Sequence, residues 1–415
     1  MSRALPDAPL ESLLSALIDY RGKTPRKSSS GVKLITAKVI KGGRIEDGNH
    51  EFIAEADYNA WMRRGMPQQR DILITTEAPL GEVAMLRTAE KVALAQRVIL
   101  LRANGTLAGQ DYLFQALKSP LVQSRLYARG TGTTVLGIKQ SELRQVEIPL
   151  PPLATQRRIA SILSAYDDLI ENNTRRIAIL EEMARRIYEE WFVRFRFPGH
   201  ENVRMVESEL GLVPEGWGVV TLGQLAEVNA RSVRRGAEPT EIRYVDISSV
   251  STGSIDNKEQ MLFADAPGRA RRIVRDGDVI WACVRPNRKS YALVLNPEPN
   301  LLVSTGFAVL SPASAPSSFI YQCVTTDDFV SYLVNHAKGA AYPAVGAEEF
   351  ENAKVLKPSD SLVTEFDRIA EPMMRLVAAL QLKNINLRTT RDLLLPKLIS
   401  GELSVENIEI AREAP

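Results

Sequence analysis

Between Ile159 and Trp191, apolar positions recur at alternating spacings of four and three: Ile159, Leu163, Tyr166, Ile170, Asn173, Ile177, Leu180, Ala184, Ile187, Trp191. Held over more than four heptads, this pattern predicts one long helix with a coiled-coil seam. At ~1.5 Å per residue the seam is a rod of roughly 50 Å, longer than a small domain needs, and it reads as a spacer. A second seam follows at a period near 210 residues: Ile369, Met373, Leu376, Leu380, Lys383, Leu387, Thr390, Leu394. The polar interruption recurs, Asn173 answering Lys383. A polar residue in a seam weakens packing but fixes register, so the two helices are expected to pair with each other. The competing reading is that each seam packs only on its own domain. Pro149-Leu-Pro-Pro152 holds the chain extended and places the start of the first helix near Leu153 or Ala154. Pro372 predicts a kink, or a separate turn near Leu362 to Ala370, and Pro396 with Gly401 is expected to end the second helix.

Ahead of each helix the period shifts to short strand-like runs between turns, and these also repeat. Val32 to Ile45 lines up with Ile242 to Ile255, matching Gly43 to Gly253, each reading as strand, turn, strand. Arg70 to Ile74 answers Gly277 to Ile280, Val98 to Leu101 answers Phe307 to Leu310, and Gly132 to Gly137 answers Gly339 to Gly346. The expected architecture is α+β: two similar α/β modules joined by two long antiparallel coiled-coil helices in a pseudo-twofold repeat. Its segments are a first module over 1–152, a helix over 153–197, a connector over 198–216, a second module over 217–358, a helix over 359–402 and a tail over 403–415. Side-chain identity between the copies is low, the pattern of two similar modules with different ligands.

Composition narrows the function. The 415 residues are 45% hydrophobic and 25% charged, an ordinary soluble balance, and the net charge of +2 gives no overall pull toward a polyanion. Cys283 and Cys323 cannot build a disulfide framework and lack zinc spacing, so two reduced thiols in the cytoplasm are expected. No run of 18 uncharged apolar residues predicts insertion in a membrane, and Arg3, Asp7, Glu11 and Asp19 interrupt the first apolar stretch. Gly22-Lys23-Thr24 has Leu17 where a phosphate loop needs glycine. Asn296-Pro297-Glu298-Pro299 lacks the aromatic ending of the tetrad with which amino-methyltransferases hold a flipped base. His50, His200 and His336 have no nucleophile or metal partner in spacing. No catalytic residue, metal site or cofactor is expected in this chain.

Local charge says more. Between Arg21 and Arg44 lie Arg21, Lys23, Arg26, Lys27, Lys33, Lys38, Lys41 and Arg44 with no acidic residue among them. In the second module Arg269, Arg271, Arg272, Arg275, Arg285, Arg288 and Lys289 are opposed only by Asp276 and Asp278. A single basic run is usually a solvated face, but one per repeat points to a nucleic-acid backbone. Arg and Lys read guanine, and Asn and Gln read adenine, through paired hydrogen bonds. The candidates are Lys38, Arg63, Arg64, Gln68, Gln69 and Arg87, with Thr131, Thr133 and Thr134 in a Gly-rich loop; in the second module they are Arg271, Arg285, Asn287, Arg288 and Tyr342.

These residues resemble a known family. Ile148-Pro-Leu-Pro-Pro-Leu-Ala-Thr-Gln156-Arg-Arg-Ile159, a heptad helix with Asn172-Asn173, then Glu190-Trp191-Phe192 and Val213-Pro-Glu-Gly-Trp217, resemble the central region of specificity subunits of type I restriction-modification systems. Asp19 to Lys27, Ile74 to Val83, Thr131 to Gln140 and Leu393 to Leu403 resemble further segments of that family. In the second copy Pro358 to Glu365 lacks the proline cluster and the Gln, so the chain is expected to enter that helix differently. The resemblance implies a subunit with no catalysis of its own. Each module would read half of a split site in double-stranded DNA, and the paired helices would set the gap and dock two modification (methyltransferase) subunits and the restriction subunits. S-adenosylmethionine, ATP and Mg would belong to those partners. Two other readings are weighed against it: a DNA-modifying enzyme in one chain, disfavoured by the missing motifs, and a non-DNA scaffold of two adaptor domains on a coiled coil.

Overall fold

Ile72–Thr76, buried throughout, is the inner strand around which the first module forms. Its neighbours in a four-stranded antiparallel sheet are Leu80–Met85 and Val98–Ala103, with Leu14–Asp19 beyond the latter. A second sheet orders Val92–Leu94, Val32–Ile35, Glu51–Ile53 and Lys27–Ser28, its first pair parallel. The computed structural model describes residues 5–20, 24–46, 48 and 50–405, so Arg21, Lys23 and the tail beyond 405 lie outside the described residues.

The second module repeats this plan. Val279–Ala282 lies between Tyr291–Leu293 and Phe307–Pro312, with Ala226–Val228 outermost, and Glu241–Val245 runs parallel to Leu301–Ser304 in the other sheet. The strand-turn-strand expected twice is richer than that. After Val32–Ile35 comes a 3-10 turn, Ala37–Val39, then a hairpin of Ile40–Lys41 with Arg44–Ile45. The second copy runs Glu241–Val245, Ile247–Ser249, then Val250–Ser251 with Ser254–Ile255. Each module closes on itself, Asp7–Pro9 pairing with Glu147–Pro149 and Gly218–Thr221 with Lys354–Lys357. The copies diverge at sheet edges: Ala270–Ile273 is added beside Leu301–Ser304, whereas the first module adds Lys27–Ser28 beside Glu51–Ile53.

The first long helix is Leu153–Tyr188, extended by a π-turn over Glu189–Val193, and the second is Asp360–Ser400. The helix runs unbroken past Pro372, so the separate turn expected near Leu362 to Ala370 is absent. A proline inside a helix forfeits one backbone hydrogen bond, and Pro372 sits on the exposed face. Pro396 does not end the helix either; Gly401, at φ 77°, does, in the left-handed geometry that suits a helix end. The segment expected as a connector, 198–216, contains a hairpin of Met205–Ser208 with Gly211–Pro214.

The chain packs as two compact units: one is Met1–Asn172 with Asn384–Pro415, the other Asn173–Lys383. In the first unit Ile159, Ala160 and Leu163 from the start of one helix share a core with Leu395, Leu398 and Ile399 from the end of the other, and with Leu10, Ile72 and Tyr112. In the second unit Ala184, Tyr188 and Phe192 meet Leu362, Phe366, Ala370 and Met374 in a core with Trp281 and Phe319. The helices therefore run antiparallel in each unit, and the seams pack on the partner helix and on the module at once.

The first seam is placed as read: Ile159, Leu163, Ile170, Asn173 and Ala184 are buried, and Tyr166, Ile177, Leu180, Ile187 and Trp191 half-buried. The second needs correction. Leu380 is buried and Ile369, Met373, Leu387 and Leu394 half-buried, but Leu376 is 38% exposed, and Lys383 and Thr390 face solvent. The other inward column lies one residue further on: Ala370, Val377, Asn384, Arg391 and Leu398. The polar break is thus buried Asn384, which donates to the Ile170 carbonyl at 3.4 Å within the first unit. Small and polar residues took inward positions that an apolar-only search passes over.

Gln156 pins the start of the first helix. Buried at 1% exposure, its amide nitrogen donates to the carbonyls of Leu107 and Pro151, each at 2.8 Å, and its oxygen accepts from the Gly109 N–H at 2.9 Å. Gln156→Ala strands these backbone groups and should destabilise the first unit by about 2–3 kcal/mol in urea unfolding, leaving the second unit's transition in place. The second helix starts as differently as expected: the Ser359 hydroxyl accepts from the Leu362 N–H at 3.4 Å.

Candidate nucleic-acid interface

Each module carries an exposed loop closed by the same pair of backbone hydrogen bonds. In the first, Thr131 and Gly137 exchange bonds of 2.8 and 3.0 Å; in the second, Lys338 and Ala344 exchange bonds of 2.8 and 2.9 Å. Both loops are tied to the end of the central strand, Ile138 donating to the Thr76 carbonyl and Val345 to that of Cys283. Gly132 has φ 124° and Gly339 φ 103°, and a Cβ on Gly132 would lie 2.2 Å from the Val135 carbonyl oxygen, so the tight loop requires glycine there. The frame is shared, and the exposed chemistry is not.

In the second module the chain leaving Val279–Ala282 turns through Pro286–Arg288, flanked by Arg285 and Lys289, both at φ 53°, a conformation rare for residues with side chains. The Arg285 guanidinium lies 4.7 Å from the centre of the Tyr342 ring and donates to the Ala341 carbonyl at 3.3 Å, so turn and loop tip are joined. Tyr342 is 69% exposed. Asn287 and Arg288 project into solvent from the same turn, with no side-chain partner among the described residues. Lys289 is held by Asp327 at 2.7 Å. The structure therefore joins four sequence candidates, Arg285, Asn287, Arg288 and Tyr342, at one surface. Arg271 lies apart on the edge strand Ala270–Ile273, over the Phe263 ring at 4.8 Å.

The first module presents a different surface. Lys38, exposed on its 3-10 turn, lines a cleft of about 550 Å³ with Thr36, Lys41, Ala78 and Pro79. Thr131, Thr133 and Thr134 are exposed along the loop, beside a smaller cleft of about 340 Å³ lined by Thr76, Gln96 and Thr131. Arg63 and Gln68 are exposed, with side chains unengaged among the described residues. Three candidates are already committed to the fold. Arg64 donates to the Asp19 carbonyl, Gln69 to that of Arg87 at 2.9 Å, and Arg87 pairs with Asp168 and Glu171 of the first long helix, each at 3.0 Å. Arg87, 48% exposed, shares its guanidinium between these two carboxylates. The basic run is also less free than its sequence suggests, since Lys27 pairs with Glu51 and Lys41 with Glu46.

Two anchors escaped the sequence reading. Asp71 and Asp278, each 2% exposed, open the central strands of the two modules. Asp71 accepts from the Gln68 N–H and from Arg102 at 2.7 Å twice; Asp278 accepts from the Arg275 N–H and from Arg231 at 2.7 and 3.0 Å. The aspartates align in the repeat, but Arg102 comes from the strand Val98–Ala103 and Arg231 from the loop after Ala226–Val228, which hid the pairing. The second anchor is Asp167, which accepts from Arg391 at 2.7 Å, Gln115 at 2.9 Å and Lys118 at 3.1 Å. Burial alone would push this carboxyl up, but the two cations and the amide together hold it below its ordinary range.

The two cysteines are free, and burial pushes each thiol up to about 11. Among the described residues no cluster of His, Cys, Asp and Glu is placed to hold a metal, and no helix is long and apolar enough to cross a membrane.

Fold and surface together define a two-module protein in which one frame carries two different exposed loop sets on a pair of antiparallel helices. Residues 64–182 match the family model described as type I restriction modification DNA specificity domain. The MjaIX type I restriction enzyme specificity subunit of Methanocaldococcus jannaschii is 26% identical over 343 residues, covering 81% of this chain and 78% of the relative. The MjaVIII specificity subunit of the same organism is 24% identical over 353 residues, 82% and 80% of the two chains. The crystal structure of a type I restriction-modification S subunit from M. genitalium shares the fold, with a TM-score of 0.60 at 17% identity over 95% of this chain and 96% of that one. In sequence this chain is similar to type I restriction enzyme specificity subunits, and in fold to the S subunit from M. genitalium.

Proposed function

We propose that this protein is the DNA sequence-specificity subunit of a type I restriction-modification complex, reading a two-part site in double-stranded DNA, one part per module. The observation that carries the reading is the repeated loop frame with unlike exposed chemistry: an Arg-Tyr stack with Asn287 and Arg288 in one copy, threonines and Lys38 in the other. Like frames approach the duplex in like ways, and unlike side chains select different bases. The chain supplies recognition and no chemistry of its own. Modification subunits, two per chain, and restriction subunits dock on it and bring S-adenosylmethionine, ATP and Mg, and the complex acts in the cytoplasm.

The test is DNA binding by the assembled complex to sites altered one base pair at a time. Arg285→Ala should weaken binding by roughly 5- to 150-fold at sites matched in the half read by the second module, and change base preference in that half alone. A uniform loss on all sequences would make Arg285 a phosphate contact. Binding that ignores both sequence and salt would favour the non-DNA scaffold and contradict the proposal.

A further inference from the structure

The repeat exposes a difference that DNA reading leaves unexplained. In the first module the helix Gln110–Lys118 ends on Lys118, whose ammonium lies 4.7 Å from the Phe114 ring centre and 3.1 Å from Asp167. The same lysine stem passes the turn glycine Gly43, whose Cβ would lie 3.3 Å from the lysine Cε. A ring, a carboxylate and a glycine thus enclose an alkylammonium supplied by the chain itself.

The matching helix of the second module, Ser317–Thr325, has the same length and is followed by the same kind of side-chain cap, Thr326 answering Ser119. Thr325 therefore stands where Lys118 stands, Tyr321 where Phe114 stands, and Gly253 answers Gly43. The ammonium is missing, and so is its carboxylate, since Val377 answers Asp167; the ring and the glycine remain, and a different carboxylate, Glu181, stands nearby. A cavity of about 300 Å³ is lined by Tyr291, Tyr321, Thr325 and Gly253, with Glu181 from the first long helix and Met374 and Val377 from the second. A Cβ on Gly253 would meet the Tyr321 hydroxyl at 3.3 Å and Glu181 Oε1 at 3.6 Å, so both polar groups converge beside the glycine. Among the described residues the Glu181 carboxylate has no cationic partner. Arg185, the cation lining the cavity, is engaged by Glu182 and Glu189. Glu181 is an exposed residue of the cavity lining, and partial burial of its carboxyl pushes it up.

We infer that this cavity is a receptor for a primary ammonium group on a short alkyl stem, bound between the Tyr321 ring and the Glu181 carboxylate. The stem packs on Met374 and Val377, and the cation takes the place that Lys118 fills in the other module. The ligand is a free alkylamine or the lysine side chain of a docked protein, which share this chemistry.

The probe is n-butylamine, which reproduces a lysine side chain, titrated calorimetrically into the full chain with n-butanol and butyrate as controls. Binding on the order of millimolar is expected for the amine alone. Glu181→Gln should weaken it roughly tenfold. Thr325→Lys, which supplies the ammonium internally, should abolish it and raise the melting temperature by about 2–4 °C. Amine binding no tighter than that of n-butanol, or unchanged in both variants, would overturn the site. Repeating the titration with the modification subunit bound separates the sources: retained binding assigns a free amine, and lost binding assigns a lysine of that subunit.

Discussion

Asp167→Ala should cost the first unit about 3–5 kcal/mol, because it leaves Lys118, its side chain 13% exposed, as a buried cation without its carboxylate, and leaves Arg391, 15% exposed, with only the exposed Asp392. The loss should appear as a lower urea midpoint for the unit built from Met1–Asn172 and Asn384–Pro415. The double variant Asp167→Ala/Lys118→Met should recover part of it, since one stranded charge is gone, and full additivity of the two changes would contradict the network. The pH dependence has a definite sign. The folded carboxyl is held below its ordinary value of 3.8, so its stabilisation is complete above that value and is lost as the pH falls through the folded one. Asp167→Ala should therefore flatten the acid limb of the stability profile.

Phe366→Ala should cost the second unit a similar amount, about 3–5 kcal/mol. Phe366 is fully buried, with ring centres 5.3 Å from Phe192, 5.9 Å from Tyr188 and 6.3 Å from Trp191, so it joins the start of the second helix to the end of the first. Removing the ring opens a cavity under three aromatics. Near-ultraviolet circular dichroism should lose intensity as the Trp191 environment loosens, and Phe366→Leu should retain most of both signals. An unchanged urea midpoint for Phe366→Ala would show that these helices do not depend on each other in this unit.

The helices and the repeat were legible because they rest on periodicity and on glycine and proline placement, which a single chain displays. Every position of the first seam from Ile159 to Trp191 is buried or half-buried, since its column is almost wholly apolar. The second is half displaced because its inward column runs through Ala370, Asn384 and Arg391, and burial of those residues depends on partners elsewhere: the Ile170 carbonyl and Asp167. The same limit governs the surface. Arg285 and Tyr342 are 57 positions apart and were singled out separately; only the folded loop stacks one on the other. Arg87 looked as available as Arg288 until Asp168 and Glu171 were found beside it. Type and spacing identify side chains able to read a base, and the tertiary partner decides which remain free to do so.

The central claim is that this chain chooses the DNA sequence on which its partners act. Its most direct test is a genome-wide map of adenine methylation in cells holding this chain and its modification subunit, compared with cells lacking only this chain. The account predicts a methylated motif of two short defined parts separated by unspecified bases, present in the first cells and absent from the second. It further predicts that Arg285→Ala changes only one part. A motif that persists without the chain, or a chain-dependent motif with a single uninterrupted part, would contradict it.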